Sequence, residues 1–137
     1  MKHYSYEEIQ IGTKESFTVE ITEEMLDSFR SITGDENPMH TDEEFAMSKG
    51  YKGRIAYGML TSSFMSTLAG MYLPGERSLI LGVEAEFPKP VFVGDIITFE
   101  GEVKEKNDTF NMIVLKVTGR NAEGLKVLRG KMKIQII

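Results

Sequence analysis

Only two imidazoles occur in the 137-residue chain, His3 and His40, and His40 stands five residues after a carboxylate in the stretch Gly34-Asp35-Glu36-Asn37-Pro38-Met39-His40. Gly34 permits a sharp turn and Asn37-Pro38 fixes the return of the chain. Such a loop can set Asp35 and His40 on opposite sides of one small molecule. An imidazole of pKa about 6.5 and a carboxylate of tunable pKa form a working acid–base pair at neutral pH. The plainer reading has Asp35 capping local amides and His40 closing the loop, and spacing alone divides evenly between the two. A second group is Tyr57-Gly58-Met59-Leu60, heading a stretch, Ile55 to Gly75, without Asp, Glu, Lys or Arg. A helix start there offers free N–H groups and partial positive charge. Gly58 has no side chain, so a carbonyl gaining negative charge, as in an enolate forming on a thioester, can approach its amide. For a glycine taken alone, close packing of helix on sheet is the stronger reading.

The elements that must position these groups follow from periodicity. Phe17, Val19 and Ile21 alternate with Thr18 and Glu20 as in a half-buried strand. Thr22 reads as an N-cap, with Glu23 and Glu24 in the favoured first turn, Met25, Phe29 and Ile32 at helical spacing, and Gly34 as the stop. Thr41 and Glu44 have capping-box spacing and predict a short helix starting just after His40 and ending near Gly50. On that reading the helix dipole holds the imidazole neutral. The uncharged stretch predicts a buried helix from Gly58, with Leu60, Phe64 and Leu68 in one stripe and Met65 and Tyr72 widening it. Strands follow. Leu79, Leu81, Val83, Ala85 and Phe87 alternate with Ile80, Gly82, Glu84 and Glu86, and Pro88-Lys89-Pro90 breaks the run. Strands near 96–104, 112–119 and 125–136 are separated by Asn107-Asp108 and Asn121-Ala122-Glu123-Gly124.

Strand, helices, then a four-strand meander is an α+β order, with a five-stranded antiparallel sheet against a helix in one domain, residues 1–137. The uncharged helix carries more apolar surface than so small a sheet covers. A second subunit is therefore expected over part of it, or over a sheet edge. A chain of this size buries roughly two-thirds of its unfolded surface and needs no staples. The absence of cysteine excludes disulfides, thiolate metal sites and a thiol nucleophile, and fits a reducing cytoplasm. Sixteen basic against 21 acidic residues give a net charge of −5, which argues against nucleic acid as a partner. The polar start MKHYSYEEIQIG has no signal-peptide core, and the serines, threonines and glycines of 55–75 argue against a membrane span.

The stretches Ile32 to His40, Phe45-Ala46, Gly58-Met59-Leu60 and Phe87 to Asp95 resemble the MaoC-like, (R)-specific enoyl-CoA hydratase family over essentially the whole chain. The resemblance implies a hot-dog fold, in which an antiparallel sheet wraps a long central helix and two subunits pair their sheets. It implies reversible syn hydration of trans-2-enoyl-CoA to (R)-3-hydroxyacyl-CoA, without metal or other cofactor. It makes Asp35 and His40 the catalytic dyad and Gly58 the amide donor to the thioester carbonyl. Ser66 falls where the family has a serine supporting the aspartate, and Asn37 lies within the signature loop. Tyr57 stands where many members have histidine; it can still pack and donate a hydrogen bond. Candidates for the CoA phosphates are Lys49, Lys52, Arg54 and Lys89. Candidates for the acyl pocket are Met59, Phe64, Met65 and Leu68, although each of these is more often plain core. A hot-dog thioesterase, a carrier-protein dehydratase and a non-catalytic acyl-CoA-binding module stand as alternatives.

Overall fold

The computed structural model describes all 137 residues. Strand β1 (Lys14–Glu20) alternates half-buried Phe17 and Val19 with exposed neighbours, as its period-two pattern requires. Helix α1 (Glu23–Thr33) begins where the Thr22 hydroxyl accepts from the Met25 N–H. It ends at Gly34, whose φ of 73° is the left-handed conformation that glycine adopts without a Cβ penalty. Two short helices follow, α2 (Pro38–Thr41) and α3 (Glu43–Ser48). The expected box at Thr41 is not the cap. Pro38 opens α2 and draws Thr41 into it, and the Asp42 carboxylate caps α3 by accepting from the Phe45 N–H.

Helix α4 (Gly58–Thr67) continues into a wider π turn (Leu68–Tyr72), in which the Leu73 N–H donates to the Leu68 carbonyl five residues back. Leu60, Met65, Leu68 and Ala69 of this segment are buried against one sheet of strands β2 (Ser78–Glu86), β3 (Ile96–Asn107), β4 (Met112–Arg120) and β5 (Lys126–Ile136), completed by β1. The sheet supplies Ile97, Phe99, Val103, Ile113, Leu115, Val117, Leu128, Met132 and Ile134 to the same core. Phe17, Phe64 and Phe99 form an aromatic cluster with centroids 5.4–6.5 Å apart.

All pairings are antiparallel, in the order β1-β3-β4-β5-β2. Only β3-β4-β5 is a meander. β2 lies on the far side of β5 instead of pairing with β3, and the Pro-containing connection 87–95 that leads on to β3 is bridged at Phe92 to Ile55 and at Gly94 to Ile21. The expected single face Leu79-Leu81-Val83-Ala85-Phe87 is also corrected. A bulge between Ile80 and Gly82 leaves Leu81 unpaired and inverts the alternation. Ile80, opposite Ile134, and Ala85, opposite Gly130, are the β2 residues packed against the core, while Leu79 pairs with Gln135 and is exposed. As the free edge strand, β2 leaves Leu79, Leu81 and Val83 about half exposed.

Candidate active site

The site is assembled by the loop after α1, by α2 and by the five residues before α4. Beyond Gly34 the loop is held by its own side chains. Asp35 Oδ1 accepts from the Asn37 N–H at 3.0 Å, and Asn37 Oδ1 accepts from the Met39 N–H at 2.9 Å, capping α2. The Arg30–Glu36 ion pair spans the turn; the guanidinium hydrogen bond draws the Glu36 carboxyl below its usual range. Asp35 is exposed, and its Oδ2 makes no hydrogen bond within the chain.

His40 is fixed at three points. Its Nδ1 lies 2.6 Å from the Ile55 carbonyl, which only accepts, so in the neutral ring Nδ1 carries the proton and Nε2 the free lone pair. Its carbonyl accepts from Arg54 Nε at 2.7 Å. Its ring lies against the Tyr57 ring, centroids 4.2 Å apart at 31°. His40 therefore occupies the closing turn of α2, not the residue just before a Thr41-capped helix that the sequence predicts. Tyr57 is 2% exposed, packs on Phe29 at 4.9 Å, and donates its phenol proton to the Asp35 carbonyl at 2.6 Å. Burial, and then the Asp35 charge, push that phenol above its usual pKa.

Gly58 opens α4, and Tyr57 before it supplies no side-chain cap. The first-turn N–H groups are thus left for another acceptor. Gly58 and Thr61 of that turn line a cavity of about 300 Å³ whose walls also include His40, Phe87, Lys89 and Val91. The Phe87 ring covers Gly58 so closely that a Cβ there would sit 3.2 Å from it. One imidazole with a free nitrogen, one exposed helix start and a mostly apolar wall thus meet in a single concavity. That combination suits proton transfer next to a carbonyl held at the helix start.

The remaining sequence candidates divide. Lys89 lines the cavity. Lys52 is exposed, 4.0 Å from Asp95 and over the Phe92 ring, and Lys49 lies over Phe45. Arg54 is not a free cation: besides His40 it holds Asp27 at 3.0 Å and Glu23 at 3.7 Å, with its side chain 14% exposed. Met65 and Leu68 are fully buried core and Phe64 sits in the aromatic cluster, whereas Met59 is exposed; none of the four lines the His40 cavity. Ser66 is exposed and makes no hydrogen bond to Asp35. Sequence reasoning missed Ile55, which acts through its carbonyl and so leaves no side-chain signal. It also missed Phe87 as a wall, although an aromatic heading a Pro-x-Pro connection was a usable signal.

The five-stranded antiparallel sheet wrapped on α4, with the site at the helix head, is a hot-dog domain. Residues 7–124 match the model of the MaoC-like domain, and the chain belongs to that family. It is 36% identical over 99 residues to an (R)-specific enoyl-CoA hydratase of Aeromonas caviae, covering 72% of this chain and 74% of that protein. It is 35% identical over 100 residues to a 3-hydroxybutyryl-CoA dehydratase of Methylorubrum extorquens, covering 73% of this chain but 64% of the relative. The fold superposes on the R-hydratase PhaJ1 of Pseudomonas aeruginosa in its unliganded form with a TM-score of 0.91 at 34% identity, covering 96% and 84% of the two chains.

Proposed function

We propose that this chain is a hydro-lyase that reversibly adds water in the syn sense to trans-2-enoyl-CoA, giving (R)-3-hydroxyacyl-CoA. The observation that carries the reading is the shared cavity of His40 and Gly58, with the His40 tautomer set so that Nε2 is the free nitrogen. The hydratase and dehydratase relatives support it. The thioester carbonyl would accept from the Gly58 N–H, where the partial positive charge of the helix start stabilises the oxyanion as C3 is attacked. Asp35, which is not itself among the cavity walls, and His40 would hold the water between them and divide the proton work: one takes a proton as oxygen bonds to C3, and the other delivers one to C2. Asn37 and Tyr57 support the loop that carries Asp35, as their hydrogen bonds indicate. Lys52 and Lys89 remain the phosphate candidates, whereas Arg54 is withdrawn because it is committed to His40 and α1. Phe87, Thr61 and Val91 replace Met59, Phe64, Met65 and Leu68 as the walls expected to touch the acyl chain.

The reading includes a homodimer in the cytoplasm. The exposed β2 edge and the uncovered side of α4, which presents Met59 and Ser66, are the surfaces a second subunit would cover. No helix is long and apolar enough to cross a membrane. The test is crotonyl-CoA hydration, followed by loss of the enoyl-thioester absorbance, with Asp35→Asn and His40→Ala beside wild type. Hydration to the (R) product, reduced about a hundredfold or more in each variant, is expected. Free thiol release without hydration assigns the thioesterase reaction instead. Neither activity across short and medium chains assigns a binding module or a carrier-protein substrate.

A further inference from the structure

Tyr57 touches both members of the proposed dyad from one place. Its hydroxyl reaches 22 residues back along the sequence to the Asp35 carbonyl, and its ring lies against the imidazole of His40. It is 2% exposed and is not among the cavity walls, so it acts on the site without meeting what the cavity holds. As core filling alone, phenylalanine would serve there and would avoid desolvating a hydroxyl. The hydroxyl is instead committed to the loop, which is otherwise tied by its own short-range Asx bonds and by the Arg30–Glu36 pair. His40 needs a second constraint for a similar reason. The Nδ1 bond to the Ile55 carbonyl lasts only while the ring stays turned toward that oxygen, and the Tyr57 face, backed by Phe29, holds it there; without that face the ring can turn away and lose its fixed tautomer.

We infer that Tyr57 is the positioning residue that locks Asp35 and His40 into one geometry, its phenol hydroxyl anchoring the Asp35 backbone while its ring carries the His40 imidazole. The inference rests on the dyad reading above. Because burial raises the phenol's pKa, the hydroxyl stays protonated, and a donor, throughout the neutral range. Placement errors of an ångström at a reacting group reduce rates by up to about a hundredfold, which sets the scale of the effect.

Two variants separate the two contacts. Tyr57→Phe keeps the ring and loses the O–H; kcat for crotonyl-CoA hydration is expected to fall about tenfold with KM within about twofold of wild type. Tyr57→Leu removes the ring. In spectra of 15N-histidine-labelled protein, with His40 signals identified by a His3→Gln variant, wild type and Tyr57→Phe show one fixed Nδ1–H tautomer. Tyr57→Leu shows an averaged pattern. Wild-type kcat in Tyr57→Phe, or an unchanged His40 tautomer in Tyr57→Leu, overturns the inference. So does a rate loss that merely follows the loss of folded protein. If wild type does not hydrate crotonyl-CoA, the proposed reaction fails, and the histidine spectra still test the clamp independently.

Discussion

Arg54 shows how a cation suggested by composition becomes a structural tie. Three acceptors converge on its guanidinium: the His40 carbonyl, Asp27 and Glu23. The two carboxylates are more than 60% exposed, so each pair contributes at most about 1 kcal/mol in high dielectric. The partly buried bond to the His40 carbonyl matters more, since charged hydrogen bonds contribute about 1.5–3 kcal/mol. Arg54→Ala is expected to lower unfolding stability in urea by about 1–3 kcal/mol and to cut kcat by loosening His40, leaving KM for the CoA thioester nearly unchanged. A large rise in KM at unchanged stability would return Arg54 to the phosphate site. Arg54→Lys is expected to recover little, because an ammonium lacks the planar fork that reaches all three acceptors.

The start of α4 and the amino-terminal segment are the elements whose local chemistry is easiest to probe. At Gly58 a methyl group would press on the Phe87 ring at 3.2 Å, and that ring is 43% exposed and free to yield. Alanine also gains up to about 1 kcal/mol of helix propensity over glycine. Gly58→Ala is therefore expected to stay within about 1 kcal/mol of wild type in stability. Hydration is expected to drop about a hundredfold, because the methyl occupies the approach to the amide. Unchanged hydration in a folded Gly58→Ala protein would remove Gly58 from the oxyanion site. The amino-terminal segment is pinned to the β3–β4 hairpin by the Tyr6 hydroxyl, which donates to Asp108 at 2.5 Å, and by Lys106, which donates to the Tyr6 and Ile9 carbonyls. Burial, and then Asp108, push the Tyr6 phenol up to about 12. The fold thus holds this proton more tightly than the unfolded chain, where tyrosine titrates near about 10. The associated stability is complete below pH 10 and declines as pH rises from 10 toward 12. The urea midpoint should fall across that window, and Tyr6→Phe should flatten the fall.

At the scale of the molecule, the central helix lies close to the sheet and is uncovered on its other side. A Cβ on Gly130 of β5 would sit 2.7 Å from Met65 Cε and 2.9 Å from the Glu84 carbonyl oxygen of β2. A methionine tip can turn aside; a strand carbonyl moves only with its ladder. Gly130→Ala is expected to cost about 1–3 kcal/mol in unfolding stability, by the strain of overpacking. A change below about 0.5 kcal/mol would show that β2 shifts freely at this edge. The half-exposed Leu79, Leu81 and Val83 on the β2 edge and, separately, Met59, 69% exposed on α4, are apolar surface that a second copy would cover. Light scattering is expected to give twice the chain mass of 15.5 kDa, and a concentration-independent single-chain mass would remove the dimer.

Much of this was legible without coordinates. Thr22 and Gly34 set the ends of α1, because caps depend on neighbours within a few residues; of the expected stripe Met25 and Phe29 pack on the core, whereas Ile32 is 82% exposed and Leu26 is the fully buried residue. The Gly34–His40 motif marked both dyad candidates, and the uncharged run from Ile55 marked the buried helix. What tertiary structure alone decided was whatever depends on partners distant in sequence. The bulge after Ile80 inverted a strand whose apolar residues alternate on paper, since parity is set by the ladder with β5. β2 pairs with β5 rather than with β3, its neighbour in sequence, a choice made by contacts between distant segments. Arg54 went to His40 and α1, and Met65 to the core, because side-chain type does not specify which neighbour folding brings near. The Ile55 carbonyl that fixes the His40 tautomer is a backbone atom, identical in every residue and so invisible until the fold places it 2.6 Å from the ring.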